Sequence, residues 1–246
     1  MRIAAISDVH GNLWALDAVL ADIERRGSDV IVNLGDILSG PLLPRETADR
    51  LMALNLPTIA GNHERQVLEG EPARMGASDL YAHEHITPAH RAWMRSLPQT
   101  LRLADDVLLV HGTPDSDLVY FMETVTEQGI RPSTHDEVSE RAANAQASLI
   151  LCGHTHTPRA MQLDDGRLII NPGSVGVQAF YADYPFDHKV ENRTPHARYC
   201  IAERSADGWT VAQYAIAYDW RPASELAARN GRPDWALALR TGRAVV

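Results

Sequence analysis

Short apolar runs that break into clusters of polar residues recur along this chain. Arg2-Ile3-Ala4-Ala5-Ile6 reads as a buried strand that ends in Ser7-Asp8-Val9-His10-Gly11-Asn12. Leu13, Leu16, Ala18, Leu20 and Ile23 follow at near-helical spacing, and Val30 to Leu34 is again a short apolar strand, so the chain opens strand, helix, strand. The pattern repeats with a helix over Arg45 to Leu54 and a strand at Thr58 to Ala60, whose end carries Gly61-Asn62-His63-Glu64. Ser78 to Leu97 predicts two helical pieces, with Thr87-Pro88 as cap and first turn of the second. Leu101 to Leu103 and Val107 to Val110 form an expected hairpin that delivers His111 to its end. A helix over Glu137 to Ala147 leads into the strand Ser148 to Cys152 and then Gly153-His154-Thr155-His156. Asp164-Asp165-Gly166 and Ala206-Asp207-Gly208 mark the turns of two late hairpins. A helical tail runs from Ala223 to Leu239, interrupted near Gly231-Arg232-Pro233.

Alternating strands and helices with polar clusters at successive strand ends imply an α/β fold with one shared site. At 246 residues and 45% hydrophobic content, one domain covering 1–246 is the expectation. No apolar run reaches the roughly 18 residues of a membrane helix, and the amino terminus lacks a signal-peptide pattern. A cytoplasmic protein that makes no membrane contact is expected. Cys152 and Cys200 both sit in apolar strand-like stretches, which favours buried thiols over a disulfide. The formal net charge of −9 disfavours extended nucleic acid as a partner and leaves small anionic substrates held through metal.

The strand ends carry the chemistry. Asp8 with His10, Asp36, Asn62 with His63, and His154 with His156 combine carboxylate, imidazole and amide, and His111 adds a fifth position. Such a set suits Mn, Fe or Zn, and a carboxylate between two ions can bridge them, which makes two metals more natural than one. In an extended backbone, residues i and i+2 of Asp8-Val9-His10 and His154-Thr155-His156 point the same way, so each pair can reach one pocket.

In order and identity, Asp8-Val9-His10, Gly35-Asp36, Gly61-Asn62-His63-Glu64, His111-Gly112 and Gly153-His154-Thr155-His156 resemble the calcineurin-like metallophosphoesterase superfamily. Gly40-Pro41, His111-Gly112-Thr113-Pro114 and Asn171-Pro172-Gly173-Ser174-Val175-Gly176 make it most similar to the small bacterial phosphodiesterase branch. The resemblance implies a four-layer αββα sandwich of two mixed β-sheets flanked by helices. It also implies two divalent metal ions, Mn first, then Fe, Zn, Ni or Mg. Asp8, His10, Asp36 and His156 would bind one, and Asp36, Asn62, His111 and His154 the other, with Asp36 bridging. His63 would be the catalytic residue, protonating the leaving oxygen while a hydroxide shared by the metals attacks phosphorus in line.

Phosphoprotein phosphatases of the superfamily carry an Asp-Arg pair shortly after the second block, where this chain has Ile37-Leu38-Ser39-Gly40. A monoester dianion gains most from bidentate arginine, so the expected substrate is a small phosphodiester. The alternatives are a phosphomonoesterase acting on nucleotides or phosphoproteins, and a non-catalytic scaffold. Glu64 stands where the branch more often has Asp, which leaves the partner that orients His63 open. Asn12 and Arg65 flank ligand blocks as candidate substrate contacts, with loop capping and an ion pair as their structural alternatives. Asn171 to Ser174 is expected to build a tight turn under the site. The segment 178–195 reads as an inserted active-site loop, whose aromatics stack on a planar group or pack over the second sheet. The tail, 223–246, is either a packing helix or a dimer contact, and the oligomeric state stays open.

Overall fold

The computed structural model describes residues 1–143 and 145–245. Its strands are β1 (Arg2–Ile6), β2 (Val30–Asn33), β3 (Leu101–Ala104), β4 (Val107–Leu109), β5 (Glu123–Thr126), β6 (Gly129–Pro132), β7 (Leu149–Leu151), β8 (Arg159–Gln162), β9 (Leu168–Asn171), β10 (Ala179–Ala182), β11 (His188–Glu191), β12 (Ala197–Ser205) and β13 (Gly208–Ile216). The helices are α1 (Leu13–Arg26), α2 (Pro44–Leu54), α3 (Asn62–Glu69), α4 (Ala77–His85), α5 (Pro88–Ser96), α6 (His135–Ala142), α7 (Arg221–Arg229) and α8 (Pro233–Thr241).

Two mixed sheets form the centre, one ordered β13-β12-β1-β2 and the other β3-β4-β7-β9-β8. β1 and β2 run parallel, as do β4, β7 and β9, so five strands can send their carboxyl ends toward one site. Alternation along the strands assigns each side chain to a layer. Ile3 and Ala5 of β1, Cys200 and Ala202 of β12, Leu149 and Leu151 of β7 and Ile170 of β9 meet between the sheets. Their neighbours point outward: Ala4, Ile6, Tyr199 and Ile201 pack with Leu16, Val19 and Ile23 of α1, Leu51 of α2 and Met94 of α5. On the other side, Ile150 and Ile169 pack with Phe121, Met122 and Val138 of α6. These are the four expected αββα layers. Burying each Leu or Ile in them contributes about 1.5–3 kcal/mol relative to exposure. Cys152 and Cys200 are buried free thiols, as expected. No helix among the described residues is long and apolar enough to cross a membrane.

Several expected elements differ. Thr58 to Ala60 is reduced to a single parallel bridge between Asn33 and Thr58, because Pro57 offers no N–H and the chain turns at once into α3. α6 begins earlier than Glu137, where the Thr134 hydroxyl accepts from Glu137 N at 3.3 Å and the Glu137 carboxylate accepts from Thr134 N at 2.7 Å. It ends at Ala142, and Asn144, within the expected helix, lies outside the described residues, as does Val246 at the end of the tail. The segment 178–195 contains the two-stranded hairpin β10–β11. The tail forms α7 and α8, broken where expected, and packs on the domain through Leu42 and Trp14.

Candidate metal centre

The loops after β1, β2, β4 and β7 meet with the first turn of α3. They place Asp8, His10 and His156 in one group, and Asp36, His111 and His154 in another, each with ligand atoms within 4.8 Å of one another. Asn62 joins the second, its Oδ1 lying 3.1 Å from His111 Nε2. The expected extended backbone is not what aims them. Asp8, His10, Asp36, His154 and His156 all have φ between 51 and 69°, in the left-handed region. Extended D-x-H and H-x-H segments would project both ends to one side of a strand. Here the chain instead curls around the centre, and the middle residues Val9 and Thr155 turn into the interior at 0% exposure.

Backbone carbonyls fix the imidazoles. His10 Nδ1 donates to Ser39 O at 2.7 Å, His156 Nδ1 to Val177 O at 2.9 Å and His111 Nδ1 to Leu34 O at 2.7 Å. Each Nε2 is thereby left as the inward atom. His154 is reversed: its Nε2 donates to Leu118 O at 3.1 Å, which turns Nδ1 inward. His10 Nε2 and His156 Nε2 face each other at 3.1 Å, and His156 Nε2 is 3.4 Å from Asp8 Oδ1. Two imidazole nitrogens so oriented beside a carboxylate fit a shared cation better than each other. Burial and the nearby His156 pull His10 down to about 4, and burial with His111 pulls His154 down to about 3, so both are neutral donors near pH 7. Burial opposes ionisation of Asp36, yet the neighbouring His111 and His63 hold its pKa well below the ordinary carboxylate value. Backbone room matters as well. A Cβ at Gly61 would strike Asp36 Oδ1 and sit 2.8 Å from His111 Cε1, and one at Gly153 would meet Asp8 Oδ2 at 3.0 Å. Carboxylate, imidazole and amide in two adjoining groups fit two divalent ions.

His63 stands in the first turn of α3, and its Nδ1 lies 2.7 Å from Asp79 Oδ1 on α4. Burial lowers its pKa, but Asp36, Asp79 and Glu64 outweigh that and raise it to about 9. Asp79 is thus the partner that the sequence left open, and a lone aspartate sixteen positions downstream gave no local signal of it. Glu64 is occupied elsewhere. Its carboxylate accepts from Asp36 N, Ile37 N and Gly61 N, each at 2.8 Å, tying the second and third blocks together.

Asn12 is not brought to the site. Fully buried, it accepts from Ala15 N at 3.2 Å to cap α1 and donates to Gly176 O at 2.7 Å and Tyr218 Oη at 3.0 Å. Arg65 makes a two-pronged ion pair with Asp117, at 2.9 Å for each bond, in a groove on the far side of His111, outside the cavity over the metal groups. Their structural alternatives are the roles the structure gives. Asn171 to Ser174 lies under the site, held by side-chain bonds in place of the expected tight backbone turn: Ser174 Oγ donates to Asp8 O at 2.8 Å, and Asn171 Nδ2 to Gly153 O at 2.6 Å.

A cavity of about 460 Å³ opens over His10, Asp36, His63, His154 and His156. Sequence reasoning missed three of its features. Tyr120 sits edge-on to His154 with ring centroids 4.9 Å apart, and its hydroxyl lies 3.0 Å from Nε2 of the buried His188. Trp235 of α8 reaches over His10, at 5.8 Å between centroids. The Ser39 hydroxyl is buried at the lining without a hydrogen-bond partner.

A family model described as the calcineurin-like phosphoesterase superfamily domain matches residues 1–186. Over 255 residues, covering 95% of this chain and 94% of the relative, the sequence is 28% identical to an uncharacterized protein of Methanocaldococcus jannaschii. The crystal structure of a metallophosphoesterase from Sphaerobacter thermophilus is similar with a TM-score of 0.74 and 26% identity, over 97% of this chain and 98% of that one. A hypothetical protein from Pyrococcus horikoshii OT3 shares the fold, with a TM-score of 0.76 and 18% identity over 99% of both chains.

Proposed function

Because the chain belongs to the calcineurin-like phosphoesterase superfamily, whose members use divalent metals, we propose that it hydrolyses small phosphodiesters at a two-metal centre. Asp8, His10 and His156 would hold one ion and Asn62, His111 and His154 the other, with Asp36 available to both. When bound, two such ions polarise the phosphoryl oxygens and lower the pKa of water to about 7, so that a nucleophile exists near neutral pH. The remaining steps belong to side chains. His63, charged and aimed by Asp79, presents its Nε2 to the leaving oxygen and donates the proton.

The observation that carries the diester reading is the cation inventory of the cavity. Its one arginine among the described lining residues, Arg232, is committed to Asp234 through bonds of 3.0 and 2.7 Å and to Ser78 Oγ at 2.8 Å. A monoester dianion would compete for that guanidinium, whereas a diester monoanion relies on the metals and His63. The test is hydrolysis of bis-p-nitrophenyl phosphate against p-nitrophenyl phosphate by chelated protein reconstituted with Mn, Mg, Zn or Ni. Metal-dependent diester cleavage is expected. Preference for the monoester would make the protein a phosphatase, and failure on both with every metal would return it to the scaffold alternative.

A further inference from the structure

Beside the first metal group the cavity changes character. The Phe180 ring stands edge-on to His156 with centroids 4.8 Å apart, and the Trp235 ring edge-on to His10 at 5.8 Å, the two imidazoles being 5.0 Å apart. Val177, Ala179 and Ala238 form one apolar cluster with Trp235 and Ala244. Charged substrate needs no such wall, and packing alone would fill it with larger side chains. Four alanines, Ala179, Ala182, Ala238 and Ala244, line the cavity instead and keep it open. The volume of about 460 Å³ is within the range of roughly 300–1,000 Å³ typical of small-molecule sites.

The wall is rigidly held. Trp235 packs among Leu42, Ala223 and Leu239, its ring tip so close to Gly40 that a Cβ there would lie 2.9 Å from Cη2. α8 is fixed to α7 by Ser224 Oγ donating to Ala236 O at 2.9 Å. Phe180 lies on the β10–β11 hairpin, which Arg193 N to Gly242 O, 2.8 Å, and Ala244 N to Glu191 Oε1, 2.9 Å, tie to the segment after α8. Trp235 also lies beyond the part of the chain that the family model matches. At the base, next to Gly40, the unpartnered Ser39 hydroxyl offers one polar contact.

We propose that this wall is a subsite for a planar aromatic ester arm, seated against Phe180 and Trp235 while the phosphoryl group lies at the metals. The proposal rests on the phosphodiester reading and narrows it to diesters with at least one aryl or nucleoside-like arm. Ring stacking of this kind is worth about a five- to 150-fold change in affinity.

The binding arm of the test does not depend on turnover: calorimetric titration of Mn-loaded His63→Ala protein with diphenyl phosphate and with diethyl phosphate. Diphenyl phosphate is expected to bind at least about ten-fold tighter. Phe180→Ala and Trp235→Leu should each shrink that ratio several-fold. A folding defect would weaken both ligands alike and leave the ratio unchanged, so the ratio isolates the subsite. Equal affinities in the parent protein, or a preference that survives both variants, overturn the proposal. The kinetic arm follows p-nitrophenyl ethyl phosphate, whose nitrophenyl ring is its one aryl arm, in the parent, Phe180→Ala and Trp235→Leu proteins. Diester turnover with KM unchanged in both variants overturns the subsite alone, while aryl-selective binding without diester turnover overturns only the reading it rests on.

Discussion

Replacing Asp79 with alanine measures how much of the work of His63 depends on being held. The Nδ1 to Oδ1 distance is 2.7 Å, and Asp79 is only 7% exposed, so water replaces the carboxylate poorly. A hydrogen bond to a charged partner contributes roughly 1.5–3 kcal/mol, which converts to a loss of about 10- to 150-fold in kcat if the bond aims and charges the acid in the transition state. General acid catalysis as a whole is worth about 10²–10⁴-fold, so Asp79→Ala should lose less than His63→Ala. The two should also fail to add: in a His63→Ala background, removing Asp79 should change kcat by less than about three-fold. Leaving-group dependence separates positioning from a general structural lesion. The Asp79→Ala defect should be larger for an ethyl leaving group, which needs the proton, than for p-nitrophenolate, which hardly does. The assay is steady-state hydrolysis of a diester series by the four proteins of the cycle, with metal content checked in each. Full additivity, or a defect indifferent to the leaving group, would refute the positioning role.

Other outcomes follow from the same geometry. Chelation should abolish turnover and lower Tm by about 5–11 °C relative to protein with metal at a hundred times its Kd, as read by scanning calorimetry; an unchanged Tm would argue against a metal centre. Gly61→Ala should keep the fold by circular dichroism yet lose most bound metal in elemental analysis, because its Cβ collides with Asp36 and crowds His111. Glu64→Gln should cost about 1–3 kcal/mol in urea unfolding, since an amide cannot accept from Asp36, Ile37 and Gly61 together. In chelated protein, NMR should find His63 titrating near 9, losing its proton as pH rises through that value, and Asp79→Asn should move the midpoint down; an unmoved midpoint would remove Asp79 from the account.

The parts of the fold legible in the sequence were those set by local pattern. β1 could be read from five consecutive residues, and the α4–α5 break from Thr87-Pro88, whose hydroxyl does accept from His90 N at 3.2 Å. The metal residues were legible for a different reason: rare donor types stand at several successive strand ends. What stayed hidden depends on contacts far apart in the chain. In sequence Asp79 looks like any helix aspartate, and only the fold buries it against His63. Trp235 reads as a packing residue of an amphipathic tail, and only the folded chain brings it over His10, 225 positions away. Backbone handedness was hidden too, because alternation rules apply to extended strands and these ligands lie just past the point where the strands end.

That handedness has a consequence for how the centre is held. A non-glycine residue in a sparsely populated region costs on the order of 1–3 kcal/mol, and five candidate ligands share that burden, so their loops persist only if their surroundings over-determine them. Asn171 supplies much of that constraint for His154-Thr155-His156. Its Nδ2 donates to Gly153 O at 2.6 Å and Thr155 Oγ1 at 3.0 Å, while its Oδ1 accepts from Gly173 N at 2.8 Å, all within the interior. Asn171→Ala removes these bonds and leaves buried groups unpaired, at a cost of roughly 2–4 kcal/mol. Relaxing the strained loop should then weaken binding at both metal groups, since His156 serves the first and His154 the second. His63 and Asp79 sit on α3 and α4 and do not lean on this segment. The variant should accordingly lose metal affinity by titration, yet approach parent kcat when metal is raised to saturation. A variant with parent metal affinity would show that the left-handed loop is held by the strands alone.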